Sequence, residues 1–157
     1  MPDVRAQFAS SRDRHVAATA LIALCYGLTA HLGFRLAVVA DQVTTVWPPS
    51  GIAIAALLLW GPRLGPAVWL GAFVANALVD APLWSAAFIA TGNTAEAVTA
   101  WFLLTRRRGF DRRLRRVNDA VAFILLAAAL ATTVSATIGV LTLCGAGLQP
   151  WDRFGVL

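Results

Sequence analysis

The sequence predicts an all-α fold, a polytopic bundle of about five transmembrane helices with a cytoplasmic N-terminus. Of the 157 residues, 59% are hydrophobic and only 13% are charged, whereas soluble domains have about 45–50% and about 25%. The mean hydropathy is +0.70. The charged residues stand in groups between apolar runs rather than scattered along the chain, which argues against a large soluble core.

The first predicted segment runs from His15 to about Val39. It follows a basic tail, residues 1–14, that contains Arg5, Arg12 and Arg14. The apolar run is longer than a signal peptide and no small-residue cleavage site follows it, so we expect an uncleaved anchor. The tail is then cytoplasmic, and residues 15–157 form the membrane domain.

The second and third predicted segments, Gly51–Trp60 and Leu64–Val79, are short. As helices they would rise only about 15 Å and about 24 Å, against a hydrocarbon core of about 30 Å. Two tilted helices could both cross the hydrocarbon core if the second segment begins near Trp47. A re-entrant hairpin also satisfies it, provided that protein covers its ends. In both arrangements the chain returns to the side it left.

The fourth predicted segment is Leu83–Leu104 and the fifth is about Ala120–Cys144. Small residues four apart let membrane helices approach closely. Such stripes occur on the third and fifth segments and predict helix packing. Their members are Ala67, Gly71 and Ala75 on the third, and Ala131, Ser135 and Gly139 on the fifth.

The basic residues set the orientation. All 13 are Arg, and seven of them lie in the loop Thr105–Val117. Eleven of the Arg residues fall on one side of the membrane in this arrangement: those of the loop, those of the N-terminal tail, and Arg63. Only Arg35 and Arg153 fall on the other side. Because basic residues accumulate in cytoplasmic loops, the N-terminus is predicted inside and the C-terminal end outside. The basic loop therefore indicates topology rather than nucleic-acid binding.

Two polar residues interrupt the fourth segment near mid-membrane. Asn93 and Glu96 are three apart and share a helix face, whereas Thr94 points elsewhere. A charge at the membrane centre costs at least about 2.5–3.5 kcal/mol, so such a residue faces the bundle interior and either pairs or becomes protonated. Unless the pair faces lipid, two interpretations stay open at this point. The pair either locks two helices together by hydrogen bonding or forms a ligand- or proton-sensing site.

Three further residues are candidates for the same site: Trp47, Ser50 and Asn76. The stretch WPPSG begins at Trp47, and Pro49 suits a first helical turn. The WPPSG stretch is either a plain helix start with an interfacial Trp or the start of a broken helix that lines an outer cavity. Asn76 lies one turn deeper than Asp80 on the third segment. Thr132, Thr133 and Thr137 are expected to bond to carbonyls of their own helix.

The sequence gives no sign of catalytic or cofactor chemistry. Cys25 and Cys144 lie singly in apolar runs and predict neither a disulfide nor a metal site. It contains no phosphate-binding loop, Ser/His/Asp set or zinc-ligand spacing. We therefore expect no enzyme activity, no cofactor and no metal, and Arg-rich contact with lipid headgroups only as a by-product of topology.

Three stretches together resemble the type-one MASE domain, a bacterial membrane-associated sensor domain. They are WPPSGIAIAALLLWGPRLGPAVWLGAFVAN (47–76), ATGNTAEAVTAWFLLTR (90–106) and FDRRLRRVNDAVAFILLAAALATTVSATIGVLTL (110–143). The resemblance covers Ala20 to the end. It implies an integral inner-membrane sensory module, N-terminal to histidine kinases, diguanylate cyclases or phosphodiesterases. Family domains have more spans, so we expect a truncated domain whose missing helices or output domain come from a longer chain or a partner.

Three hypotheses follow. The chain is a sensory-domain fragment without its output domain, with Asn93 and Glu96 as the recognition pair. Alternatively it is a small transporter subunit that resembles the substrate-capturing component of an uptake system. Or it is a structural fragment, which would be indicated if Asn93 and Glu96 bonded another helix with no cavity beside them. The expected partner is the lipid bilayer and not nucleic acid, and the sequence leaves a homo-oligomer and the stimulus open.

Overall fold

A computed structural model describes residues 4–35, 47–79 and 82–155. Every regular element in these ranges is helical, so the all-α prediction is confirmed for the described part of the chain. Five helices follow one another, with short 3₁₀ turns at Pro62–Leu64 and Trp151–Arg153. They are α1 (Val4–Arg35), α2 (Pro48–Trp60), α3 (Gly65–Ala77), α4 (Leu83–Arg106) and α5 (Val117–Gly145).

The helix boundaries lie close to the predicted ones. α2 begins directly after Trp47 with Pro48 and Pro49 in its first turn, where a missing N–H costs nothing. α1 already begins at Val4, so most of the predicted tail is a continuation of the first helix. The predicted end of the first segment, Val39, and the polar residue Asp80 lie outside the described residues.

α4 is the central helix of the bundle, in contact with α2, α3 and α5. α1 packs on the other side of α2 and α3. α3 runs antiparallel to α4, since Gly65 lies beside Thr94 while Trp69 Nε1 donates to Thr91 Oγ1 at 3.1 Å. The residues that the structure buries on α4 are mostly small, which lets three helices reach it.

The small-residue stripe of α3 packs as predicted. Ala67, Gly71 and Ala75 are all buried. Gly71 lies directly against α1, because a Cβ atom built there would be 2.9 Å from Tyr26 Cβ and 3.1 Å from Ala23 Cα. Only a glycine allows this approach of the two backbones.

α2 and α3 form a hairpin of two short helices. Each has 13 residues and rises about 20 Å. Ser50 in the first turn of α2 and Asn76 in the last turn of α3 line one cavity. The hairpin thus returns to the level at which it starts, which both predicted arrangements require.

Two described helices are long and apolar enough to cross a membrane, Val16–Arg35 and Val117–Gly145. α4 has 24 residues but does not meet that hydropathy criterion. It contains Asn93, Glu96 and several hydroxyl residues, which lower its hydropathy. Neither of the short helices α2 and α3 meets the criterion for a span. The five-segment topology therefore stays a prediction.

The middle of α5 is not an ordinary α-helix. Residues Ile124–Ala131 form a π-helical stretch of 8 residues between two α-helical parts. π-helical segments are rare and occur frequently at functional sites. Nothing in the alanine- and leucine-rich sequence predicted this stretch. Its C-terminal boundary, Thr132, lies at the site described next.

Candidate ligand site

A partly open cavity of about 190 Å³ lies between the helices. All five residues that the sequence singled out line it: Trp47, Ser50, Asn76, Asn93 and Glu96. The remaining lining comes from α1, α4 and α5, namely Phe34, Ile89, Thr132, Ser135, Ala136, Gly139, Val140 and Leu143. The structure thus brings together residues from parts of the chain that the sequence could only treat one by one.

Glu96 is the most polar group of this cavity and is only 2% exposed. Ser50 Oγ of α2 donates to Glu96 Oε2 at 3.1 Å. Thr132 Oγ1 of α5 donates to Glu96 Oε1 at 3.3 Å. The ion pair found among the described residues joins Arg115 to Asp111, so no described cation pairs with Glu96. Hydroxyl groups from two neighbouring helices hold the carboxyl group instead.

Asn93 is bonded on one side only. Ser135 Oγ of α5 donates to Asn93 Oδ1 at 2.8 Å. Asn93 Nδ2 is buried and has no hydrogen-bond partner among the described residues. A buried donor without a partner loses about 1–3 kcal/mol of hydration. The side chain lines the cavity and its amide also lies near the Tyr26 hydroxyl. A ligand that reaches Nδ2 would supply the missing acceptor.

The N-terminus of α2 contributes an aromatic wall. The rings of Trp47 and Phe34 lie 5.0 Å apart at 60°. Trp47 Nε1 donates to the Tyr26 hydroxyl oxygen at 3.4 Å. Tyr26 is fully buried behind the wall and was missed by the sequence analysis. It is the only Tyr in the chain and lies within an apolar segment, a signal that could have found it.

Asn76 is buried at the end of α3 and lines the cavity, but its amide is used locally. Asn76 Nδ2 donates to Ala72 O of the same helix at 2.8 Å. The residue therefore contributes to the cavity wall without tying α3 to another helix through this bond.

The hydroxyl residues of α5 divide into two groups. Thr133 and Thr137 bond back to the carbonyls of Leu130 and Thr133 at 2.7 and 2.6 Å, as predicted. For Thr132 the prediction is incomplete, because its hydroxyl lies 3.3 Å from both Ala127 O and the Glu96 carboxylate. Ser135, predicted only as part of a packing stripe, also bonds α4. The spacing of Thr132 and Ser135, three apart as in Asn93 and Glu96, is the signal that was overlooked.

The geometry combines the two open interpretations of the polar pair. Asn93 and Glu96 do bond neighbouring helices, which is what a helix lock requires. A cavity also lies directly beside them, which a purely structural lock does not require. The condition set for a structural fragment, hydrogen bonding with no adjacent cavity, is therefore not met.

Comparison with known families adds an independent observation. The family model of MASE1 matches residues 18–156. The chain belongs to the MASE1 family. MASE1 is a family of membrane-associated sensory domains, so the expected relationship and the sensory role are confirmed at that level. No curated protein and no solved structure matches the chain.

The match to MASE1 includes every helix that lines the cavity. The matched range contains the hairpin α2–α3, all of α4 and all of α5. The match speaks for a sensory module rather than a transporter subunit. It names neither a ligand nor the residues that bind one, so those follow only from the geometry of the cavity.

Proposed function

We propose that this MASE1 domain is a multi-pass sensory module of the bacterial inner membrane whose stimulus acts in the cavity at Glu96. The observation that carries the proposal is a buried carboxyl group that two other helices hold through hydroxyls, beside an open cavity. Intramembrane carboxyl groups that face a cavity commonly mark ligand or ion sites. A site that joins α2, α4 and α5 can change their packing when its hydrogen bonds change.

The proposed topology has the N-terminus and the loop 107–116 in the cytoplasm and five membrane segments. The distribution of Arg residues supports this orientation. The outward faces of α1 and α5 support contact with lipid, because both expose large apolar side chains. These are Leu21, Leu24, Leu28 and Leu32 on α1, and Val121, Ile124, Leu125 and Leu130 on α5.

Thr132 provides the proposed route from the cavity to α5. Its hydroxyl lies between Glu96 on α4 and the carbonyl of Ala127, five residues earlier on its own helix. It stands at the C-terminal boundary of the π-helical stretch. A ligand that engages Glu96 competes with Thr132, and conversion of the π-helical stretch toward an α-helix then changes the register of α5 by about one residue.

The proposal gives this chain a sensory and not a catalytic role. Its output is a change in helix packing, which a cytoplasmic output domain or partner subunit would read. A measured turnover of ATP or GTP by the purified chain would contradict this part of the proposal.

The first experiment changes the carboxyl group without changing its shape. Glu96→Gln replaces one acceptor oxygen by a donor, so the hydroxyls of Ser50 and Thr132 can no longer both donate to the side chain. We expect faster backbone hydrogen exchange in residues 124–135 of the chain in lipid nanodiscs, measured by mass spectrometry.

The matched control is Asp119→Asn. Asp119 is also a buried carboxyl group, 4% exposed, but lies in the first turn of α5 and outside the cavity. We expect its exchange change to stay near residue 119. If Glu96→Gln leaves residues 124–135 unchanged, the proposed route from the cavity to α5 is wrong.

A second experiment tests the orientation. Arg112→Cys places a thiol in the exposed loop, in a chain whose Cys25 and Cys144 are replaced by Ser. We expect a membrane-impermeant maleimide to label this thiol only after the cytoplasmic side is opened. Labelling of intact cells from the periplasm would overturn the topology.

A further inference from the structure

We infer that the cavity binds a small organic ammonium ion that has a hydrogen-bond acceptor at its other end. This inference rests on the proposed function, because it names the ligand class of the same site. It follows from the hydrogen-bond donors and acceptors of the cavity walls that the protein's own hydrogen bonds leave free.

The hydroxyl groups of the cavity have already used their hydrogens. Ser50 and Thr132 donate to Glu96, and Ser135 donates to Asn93. A hydroxyl has a single hydrogen and two lone pairs, so these oxygens can offer a ligand only lone pairs. The indole N–H of Trp47 is likewise used by Tyr26. The cavity is therefore rich in acceptors and suits a ligand rich in donors.

Charge points to the same ligand class. Glu96 has no cationic partner among the described residues, and a carboxyl group in a membrane interior either pairs or becomes protonated. A cationic ligand would give its charged form a partner. An ammonium group supplies the positive charge together with three N–H donors. The rings of Phe34 and Trp47 line the same cavity. Aromatic faces within about 6 Å attract such cations further.

Asn93 defines the other end of the ligand. Its Nδ2 is a buried donor without a partner among the described residues, and the residue is 7% exposed. An ether, carbonyl or hydroxyl oxygen on the ligand would accept this hydrogen bond. Ile89, Val140 and Leu143 line the cavity beyond Asn93, on the side away from Glu96, and would contact an alkyl group carried by that oxygen.

The size of the cavity limits the choice. Its volume is about 190 Å³, and an apolar cavity of about 150 Å³ accommodates a benzene molecule. A short-chain amine fits this space. A bare metal ion would leave most of this volume empty.

The experiment uses 3-methoxypropylammonium chloride as the probe and 3-methoxypropan-1-ol as its uncharged counterpart. Binding to the chain in lipid nanodiscs is measured by isothermal titration calorimetry, with empty nanodiscs as the blank. We expect the ammonium ion to bind at least about tenfold more tightly than the alcohol, a difference of about 1.4 kcal/mol. Excess sodium chloride should not compete.

Three variants locate the binding. Glu96→Gln should weaken the affinity for the probe at least about tenfold and Asn93→Leu about threefold. Asp119→Asn, which neutralises a buried carboxyl group outside the cavity, should leave the affinity unchanged. Equal binding of the alcohol, unchanged binding by Glu96→Gln, equal loss with Asp119→Asn, competition by sodium or no binding of the probe would each overturn the inference.

The result is separable from that of the proposed function. If Glu96→Gln alters hydrogen exchange in α5 but the probe does not bind, the ligand class is wrong and the sensory site stands. If the probe binds with the expected preference while α5 is unchanged, the ammonium site stands and the proposed signal route fails.

Discussion

Gly71 and Gly92 each bring two helices into close contact, and the contacts differ in kind. At Gly71 on α3, an added Cβ would lie 2.9 Å from Tyr26 Cβ and 3.0 and 3.1 Å from the backbone atoms Ala23 O and Cα. At Gly92 on α4, the nearest atoms are Cβ and Cγ2 of Ile138, both at 3.1 Å. The first contact is with Tyr26 Cβ and the backbone of Ala23, and the second is with Ile138, with the backbone oxygen of Ser135 farther away at 3.6 Å.

The surroundings of the two contacts also differ. Beside Gly92, α4 and α5 are joined by the pairs Asn93–Ser135 and Glu96–Thr132, which line the cavity. The α1–α3 contact at Gly71 adjoins the buried apolar residues Ala67, Val68 and Ala72. Backbone and Cβ atoms cannot yield without moving a helix, whereas Cγ2 of Ile138 can move by a change of rotamer. Backbone and Cβ atoms make the Gly71 contact, whereas the Gly92 contact includes this Cγ2. We therefore expect the α1–α3 pair to act as the fixed frame and the α4–α5 pair to adjust.

The largest expected effect is at the fixed contact. Gly71→Ala forces α1 and α3 apart, because the new methyl group meets backbone atoms of Ala23. Overpacking of this kind costs about 1–3 kcal/mol, and we expect the upper end of that range. The measurement is the free energy of unfolding in mixed micelles titrated with SDS. Gly27→Ala, at a position with nothing within 4 Å, is the control and should not destabilise the chain.

Gly92→Ala should cost less, about 1 kcal/mol, because its nearest atoms lie at 3.1 Å rather than 2.9 Å and one of them, Ile138 Cγ2, can rotate away from the new methyl group. The same SDS titration measures it, and hydrogen exchange in α5 should rise in parallel. If Gly92→Ala destabilises the chain as much as Gly71→Ala does, the distinction between a fixed and an adjustable contact fails.

A smaller effect separates the two neighbouring threonines of α5. Thr132→Val removes the hydroxyl that reaches Glu96 and should cost about 0.6 kcal/mol, the average for a hydrogen bond between membrane helices. Thr133→Val removes a hydroxyl that bonds only Leu130 of its own helix and should be nearly neutral. Equal unfolding free energies for the two variants would show that the Thr132–Glu96 bond does not join the helices.

The smallest effect is expected in the basic loop, outside both contacts. Arg115 Nε donates to Asp111 Oδ2 at 2.7 Å, and the backbone N–H of Arg113 donates to Asp111 Oδ1 at 3.0 Å. The bond from Arg115, followed by that from Arg113, holds the pKa of Asp111 below its ordinary value of 3.8. Because that pKa is lowered, the stabilisation is present above pH 3.8 and is lost as the pH falls through the lowered value.

This predicts a loop that is insensitive to pH near neutrality. Asp111→Ala removes both acceptor oxygens, so it should speed exchange of the Arg113 amide at pH 7 and abolish the further increase that acidification causes in the unaltered chain. The free energy of unfolding of the bundle should stay the same, because Asp111 lies in the exposed loop. A change in the bundle's SDS midpoint would mean that the loop contributes to the packing of α4 and α5.

Much of the secondary structure could be predicted from the sequence. Pro49 indicated a helix start near Trp47, shortly before the apolar run that begins at Gly51, and the apolar run from Leu83 placed α4. Caps and hydrophobic runs act over a few residues. The shared face of Asn93 and Glu96 follows from helical periodicity alone. The cost of polar groups in lipid then directed both toward the interior, where the structure finds them buried.

The tertiary structure decided which atoms meet. No local pattern could show that Ser50 and Thr132 both reach Glu96, or that Tyr26 lies behind Trp47, since these contacts depend on how α1, α2 and α5 pack around α4. The register of α5 at Thr132 depends in addition on a π-helical stretch that its apolar sequence does not reveal. Sequence determines the faces of each helix through periodicity and hydration, whereas the pairing of polar atoms across helices depends on distances of a few ångströms that only packing sets.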